Sequence, residues 1–285
     1  MSYTTLITCE QLEKQLNEPE LLVVDCRFNL VKTEAGREAY EKDHIPGAIY
    51  AHLDDDLSGE IVPGTTGRHP LPEVDALANL LSRWGVTTKT QIVAYDDTVG
   101  AIASRLWWML QWVGHKNVAV LNGGYNNWQS QGKPCSNDVK KISEVNYNAN
   151  INNGLQVEVD EVYQLSQSQK GCIVDARTSD RFCGENETLD PIGGHIPGAI
   201  NAPFVNNIDE NGKFKSKQKL AKQFENVLGQ QTQPPIIYCG SGVTAAHNIL
   251  AMAYAGVGSA RLYAGSWSHW ITDENRPIET CSTAS

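Results

Sequence analysis

The sequence predicts an α/β protein built as two tandem domains, each a parallel sheet with helices on both faces. Three observations carry this. Its 285 residues suffice for two cores of ordinary size. Laid against itself, the chain repeats at a period of roughly 150 residues, shortening to about 143 later, which suits duplicated domains rather than a solenoid. Short apolar runs without clean alternation are interleaved with helical stretches, the pattern of buried parallel strands joined by crossovers. Residues 1–135 form the expected first domain, 136–156 the connector and 157–285 the second domain.

In chain order, Leu22-Val23-Val24-Asp25-Cys26-Arg27 is an apolar strand ending in Asp-x-Arg, and it returns as Cys172-Ile173-Val174-Asp175-Ala176-Arg177. The turn His44-Ile45-Pro46-Gly47-Ala48-Ile49 returns as His195-Ile196-Pro197-Gly198-Ala199-Ile200. Because both halves carry them, His44 and His195 brace their turns, and Arg27 and Arg177 pair with Asp25 and Asp175 or with loop carbonyls. Residues 75–84 and 104–113 have helical spacing. The strand Gln91-Ile92-Val93-Ala94-Tyr95-Asp96 matches the one ending in Tyr238-Cys239, so an aspartate stands where the second copy has a cysteine. Val118-Ala119-Val120-Leu121 is the last strand of the first copy. The turn after it, Asn122-Gly123-Gly124, corresponds to Ala264-Gly265-Ser266 in the second. Helical spacing or repetition makes the tryptophans core residues, except that Trp267, near the cysteine loop, is also a candidate pocket wall. The end of the chain, from Cys281 onward, has no packing partner in this reading.

Composition excludes several classes. A net charge of -10 argues against nucleic acid and anionic membranes, both of which need clustered cations. The seven cysteines lack CxxC pairs and histidines at zinc-ligand spacing, so no metal or other cofactor is expected, and they read as free thiols of a reducing compartment. With no leader-like start and no apolar run of membrane length, the protein is expected in the cytoplasm.

Chemistry concentrates at Tyr238-Cys239-Gly240-Ser241-Gly242-Val243-Thr244-Ala245, a strand end, a glycine-rich turn and a helix start. Gly240 and Gly242 let successive N–H groups point at one spot, and the following helix adds its positive end. An anionic sulfur is favoured there, which makes Cys239 a candidate nucleophile; the alternative is a small buried cysteine closing a core strand.

These repeated blocks, with a cysteine loop in the second copy alone, resemble the two-domain rhodanese superfamily of sulfurtransferases over nearly the whole chain. The loop from Cys239 to Thr244 resembles that of 3-mercaptopyruvate sulfurtransferases; thiosulfate-preferring relatives carry two basic residues where Gly240 and Ser241 stand. The resemblance implies a Cys239 persulfide that takes sulfur from a small anionic donor, 3-mercaptopyruvate first and thiosulfate second, and gives it to a thiol, such as that of a thioredoxin, or to cyanide. It implies that Ser241, His69 and Asp54 assist catalysis, and that the amides of Gly240, Gly242, Val243 and Thr244 hold the negative sulfur. Arg181 would hold the donor's carboxylate or sulfonate, which a guanidinium fork fits well. A second arginine usual in mercaptopyruvate enzymes is missing from residues 184–190. A non-enzymatic sulfur carrier or redox module would keep Cys239 without a donor pocket. A cysteine phosphatase would need an arginine six residues after the cysteine, where Ala245 stands.

Overall fold

The computed structural model describes residues 2–168, 171–229, 231 and 233–281. The chain forms two compact units: Met1–Gly59, Pro72–Asn152 and Glu210–Phe214 make the first, and Glu60–Leu71, Asn153–Asp209 and Lys215–Ser285 the second. The second unit thus includes a segment, residues 60–71, from the N-terminal half of the sequence.

The first unit runs β1 (Leu6–Ile7), α1 (Cys9–Glu13), β2 (Leu21–Asp25), α2 (Ala35–Lys42), β3 (Ala48–Tyr50), α3 (Val74–Arg83), β4 (Gln91–Tyr95), α4 (Ala103–Trp112), β5 (Val118–Leu121) and α5 (Gly124–Ser130). Its strands are parallel in the order β1-β5-β4-β2-β3. Every residue of β2 and of β5 is buried, so the sheet is covered on both faces, which explains why these strands read as unbroken apolar runs.

The second unit continues with α6 (Val159–Ser168), β6 (Ile173–Asp175), α7 (Ser179–Phe182), β7 (Ile200–Asn201), α8 (Lys217–Leu228), β8 (Ile236–Tyr238), α9 (Ala245–Ala255), β9 (Arg261–Leu262) and α10 (Ser266–Trp270). Its parallel order is β7-β6-β8-β9, and a single parallel bridge from Gln156 to Leu262 stands where β1 borders β5 in the first unit. Val162, Ile173, Ile236, Tyr238, Trp267 and Trp270 are among the residues of its core.

The repeated motifs are structural locks. In the first unit the Arg27 Nε and Nη2 donate to the Asp25 carboxylate, and Nη2 also reaches the Asp43 carbonyl at 2.6 Å. Arg177 does the same with Asp175 and the Gly194 carbonyl. Both acids are fully buried, and breaking either pair would strand a charge in the core. His44 and His195 each bond a backbone carbonyl through Nδ1, those of Tyr40 and Phe182, and each stacks on that residue's ring.

One expectation fails. Cys183 and Cys281 form a disulfide, their Cα atoms 4.7 Å apart, so these two are not free thiols and Cys281 does have a partner. The segment before Cys281 comes back to pair with the His195 turn through a backbone bridge at Glu279, and that brings together cysteines 98 residues apart in sequence. Ser282 to Ser285 lie outside the described residues. Cys9, Cys26, Cys135, Cys172 and Cys239 are free.

Candidate active site

Cys239 sits directly after β8, in the second unit, where an open parallel sheet places its ligands. The Gly242 N–H donates to its Sγ at 3.2 Å. Gly242 has φ +78°, and a Cβ there would come within 2.2 Å of the Ala264 carbonyl oxygen, so no other residue fits this amide against the sulfur. Val243 and Ser241 are buried around it, and Thr244 precedes the first turn of α9. The loop is clamped from α10. Ser266 Oγ accepts from the Cys239 N–H at 3.1 Å and donates to the Tyr263 carbonyl, while the Trp267 and Ser268 amides bond the carbonyls of Cys239 and Gly240. Ser266 holds φ +54°, an uncommon conformation for serine, at the place where the first copy has Gly124 at +59°. That strained conformation is held beside Cys239, whose N–H the Ser266 hydroxyl accepts. Trp267 is wholly buried, its ring 4.8 Å from the Arg177 guanidinium, and belongs to the core rather than to a pocket wall.

Residues 60–71 supply two more groups. His69 Nδ1 lies 2.7 Å from Ser241 Oγ, both buried, so an imidazole and a hydroxyl are hydrogen-bonded within the cysteine loop. Arg68 takes its position from Ser268 Oγ, which accepts its backbone N–H at 3.0 Å. Gly67 lets this segment approach, since a Cβ would meet the Gly265 carbonyl oxygen at 2.5 Å. Asp54 belongs to the first unit and is largely exposed in the turn after β3; partial desolvation of its carboxyl raises its pKa above the usual value.

Two guanidiniums converge on Gly240. A Cβ placed there would be 2.9 Å from Arg68 Nη2 and 3.2 Å from Arg181 Nη2. Two buried acids hold them. Asp190 takes a fork from Arg68, Nε to Oδ1 at 2.9 Å and Nη2 to Oδ2 at 3.1 Å, and a longer bond from Arg181 at 3.3 Å. Glu187 takes Nε and Nη2 of Arg181 and also faces Arg177 Nη1 at 3.4 Å. Burial raises the pKa of both acids; at Glu187 the Arg181 and amide hydrogen bonds outweigh it and leave the carboxyl below its ordinary range, whereas Asp190 stays raised. Nη1 of Arg68 and of Arg181 bonds nothing among the described residues. Arg68, Glu187, Asp190, Ser266 and Ser268 were not legible as site residues: Arg68 and the acids are distant in sequence from Cys239, and only Ser266 carried a signal, as a serine aligned with a turn glycine.

The Rhodanese-like domain model matches twice, at residues 8–131 and 158–273. The chain belongs to the rhodanese family. Among rhodanese relatives, it is 42% identical over 283 residues to a probable 3-mercaptopyruvate sulfurtransferase of Pseudomonas aeruginosa, spanning 98% of this chain and 99% of the relative. It is 31% identical over 289 residues to a thiosulfate sulfurtransferase of Rattus norvegicus, spanning 98% and 95%. The structure of a 3-mercaptopyruvate sulfurtransferase from Leishmania major superposes with a TM-score of 0.82 at 30% identity, covering 96% of this chain and 76% of that one. The first unit is a rhodanese fold without the thiol. Asp96 fills its loop, accepting the N–H groups of Thr98, Gly100, Ile102 and Ala103 at 2.8 to 2.9 Å. The same loop therefore encloses a carboxylate in one unit and a sulfur in the other. No helix among the described residues is long and apolar enough to cross a membrane.

Proposed function

We propose that this protein is a sulfurtransferase that moves a sulfur atom from 3-mercaptopyruvate, through a Cys239 persulfide, to a thiol. The observation that carries the reading is Cys239 Sγ bonded by the Gly242 amide, beside two guanidiniums over Gly240. The thiolate attacks the donor's sulfur; the carbon–sulfur bond breaks, its electron pair passes to carbon as the enolate of pyruvate, and a proton completes pyruvate. Ser241, hydrogen-bonded to His69, delivers that proton or polarises the donor's carbonyl, a role that the 2.7 Å contact supports. An acceptor thiolate then takes the outer sulfur and leaves Cys239 ionised among the loop amides. Gly240, Gly242, Val243 and Thr244 shape that cradle, and Arg68 and Arg181 hold the donor's carboxylate. Asp54 is assigned to the proton-handling groups on the family pattern alone. A thioredoxin-type dithiol in the cytoplasm is the acceptor this chemistry suits, with cyanide as a laboratory substitute.

Thiosulfate is the second donor reading. It is favoured by the two guanidiniums, which supply beside the loop the positive charge that Gly240 and Ser241 lack. Intact-mass analysis after incubation with each donor tests both readings. One added sulfur, mapped to Cys239 and formed faster with 3-mercaptopyruvate, is the expected result; Cys239→Ser accepts none. Turnover retained by that variant refutes the mechanism.

A further inference from the structure

The two guanidiniums over Gly240 are not bare charges. Arg68, Arg177 and Arg181 are matched one for one by Asp175, Glu187 and Asp190, the acids almost entirely buried. Asp175 belongs to the lock around Arg177 and Glu187 is shared between Arg181 and Arg177, whereas among the described residues the Asp190 side chain, 2% exposed, bonds Arg68 and Arg181 alone. It does two things at once. It holds Nη2 of both forks beside Gly240, and it places one negative charge between them.

We propose that Asp190 is the donor-selecting residue of this site, a positioning carboxylate that tunes the arginine pair for a monoanion and against a dianion. The inference rests on the sulfurtransferase reading and deepens it. With Glu187 counted, the three arginines and three acids sum to about zero charge, so a donor carboxylate is held by the guanidinium hydrogen bonds rather than by an excess of positive charge. Thiosulfate brings two negative charges to a cluster that already holds as many carboxylates as cations, Asp190 among them. A dianion responds to any change in local charge twice as strongly as a monoanion does, because Coulomb energy is linear in charge. Donor preference is therefore set partly outside the cysteine loop, by an acid that neither donor needs to touch.

The test is the ratio of kcat/KM for thiosulfate to that for 3-mercaptopyruvate, measured in wild type, Asp190→Asn and Asp190→Glu with one acceptor. Asp190→Asn is expected to raise the ratio by about tenfold, the effect of one unit charge a few ångströms from the donor in a partly screened site. Asp190→Glu, which keeps the charge, is expected to return it toward the wild-type value. A purely structural role would lower both donors together, and a ratio within about twofold of wild type in Asp190→Asn overturns the proposal. If Asp190→Asn does not fold, Arg68→Gln decides: removing a cation from a more exposed position must lower the ratio, and an equal loss with both donors overturns the proposal. Wild-type protein that acquires no sulfur from either donor defeats the sulfurtransferase reading itself, whereas sulfur loading with an unmoved ratio defeats only the role of Asp190.

Discussion

Arg181 is held but not used up: Nε and Nη2 bond the acids, while Nη1, 3.5 Å from where a Gly240 Cβ would stand, bonds nothing among the described residues. Arg181→Ala should therefore raise the KM for an anionic donor by roughly ten- to a hundredfold, the loss of a charge-assisted hydrogen bond, with a smaller change in kcat. Steady-state kinetics at saturating acceptor measures the split. Glu187 gives a prediction in pH. Its folded pKa lies below the ordinary 4.5, so its contribution to stability is present above that value and is lost as pH falls through the lower folded one. Urea midpoints recorded from neutral pH into acid should fall less steeply in Glu187→Gln than in wild type. At this scale the strand-end position of Cys239 before a glycine turn was legible, because an apolar run followed by closely spaced glycines marks that corner locally. Arg68 was hidden for the opposite reason. The second cation beside Gly240 comes from residues 60–71, and no local pattern reports a contact made across that much chain.

The cysteine loop and its counterpart in the first unit share a geometry that neither sequence shows alone. Residue 99, three after Asp96, is a valine at φ +57°, and residue 242, three after Cys239, is a glycine at +78°. The second loop has no room for a side chain at that point, so Gly242→Ala should cost about 2 kcal/mol or more in stability and remove the amide from the sulfur. Thermal unfolding together with the rate of sulfur loading checks both effects. Asp96→Ala, in the first unit, would leave four amide donors without their acceptor; a loss of roughly 4 kcal/mol is expected in urea unfolding, with sulfur loading of the folded protein unchanged. The glycine spacing made the loop's shape legible at Cys239. What the spacing did not disclose is how the loop is held from outside, by the Ser266 hydroxyl and the amides of α10.

Over the whole molecule, the parallel sheets and the duplicated order of strands were legible because buried parallel strands are written as continuous apolar runs, and the Asp-x-Arg and His-Ile-Pro-Gly blocks mark equivalent corners of both units. Cysteine pairing was not, since an odd count without motif spacing says nothing of which two thiols meet. The disulfide closes a loop spanning 98 residues, and chain entropy assigns about 4.7 kcal/mol to a closure of that length. Reduction, or Cys183→Ser, should lower the unfolding free energy by a few kcal/mol on that scale, read from denaturation with and without a non-thiol reductant. The Asp96 carboxylate has a last consequence for stoichiometry. On the proposed mechanism, a carboxylate in one of two equivalent sockets leaves a single thiol to carry sulfur, so extra sulfur mapped away from Cys239 reports on a different thiol, with the exposed Cys135 the first to examine.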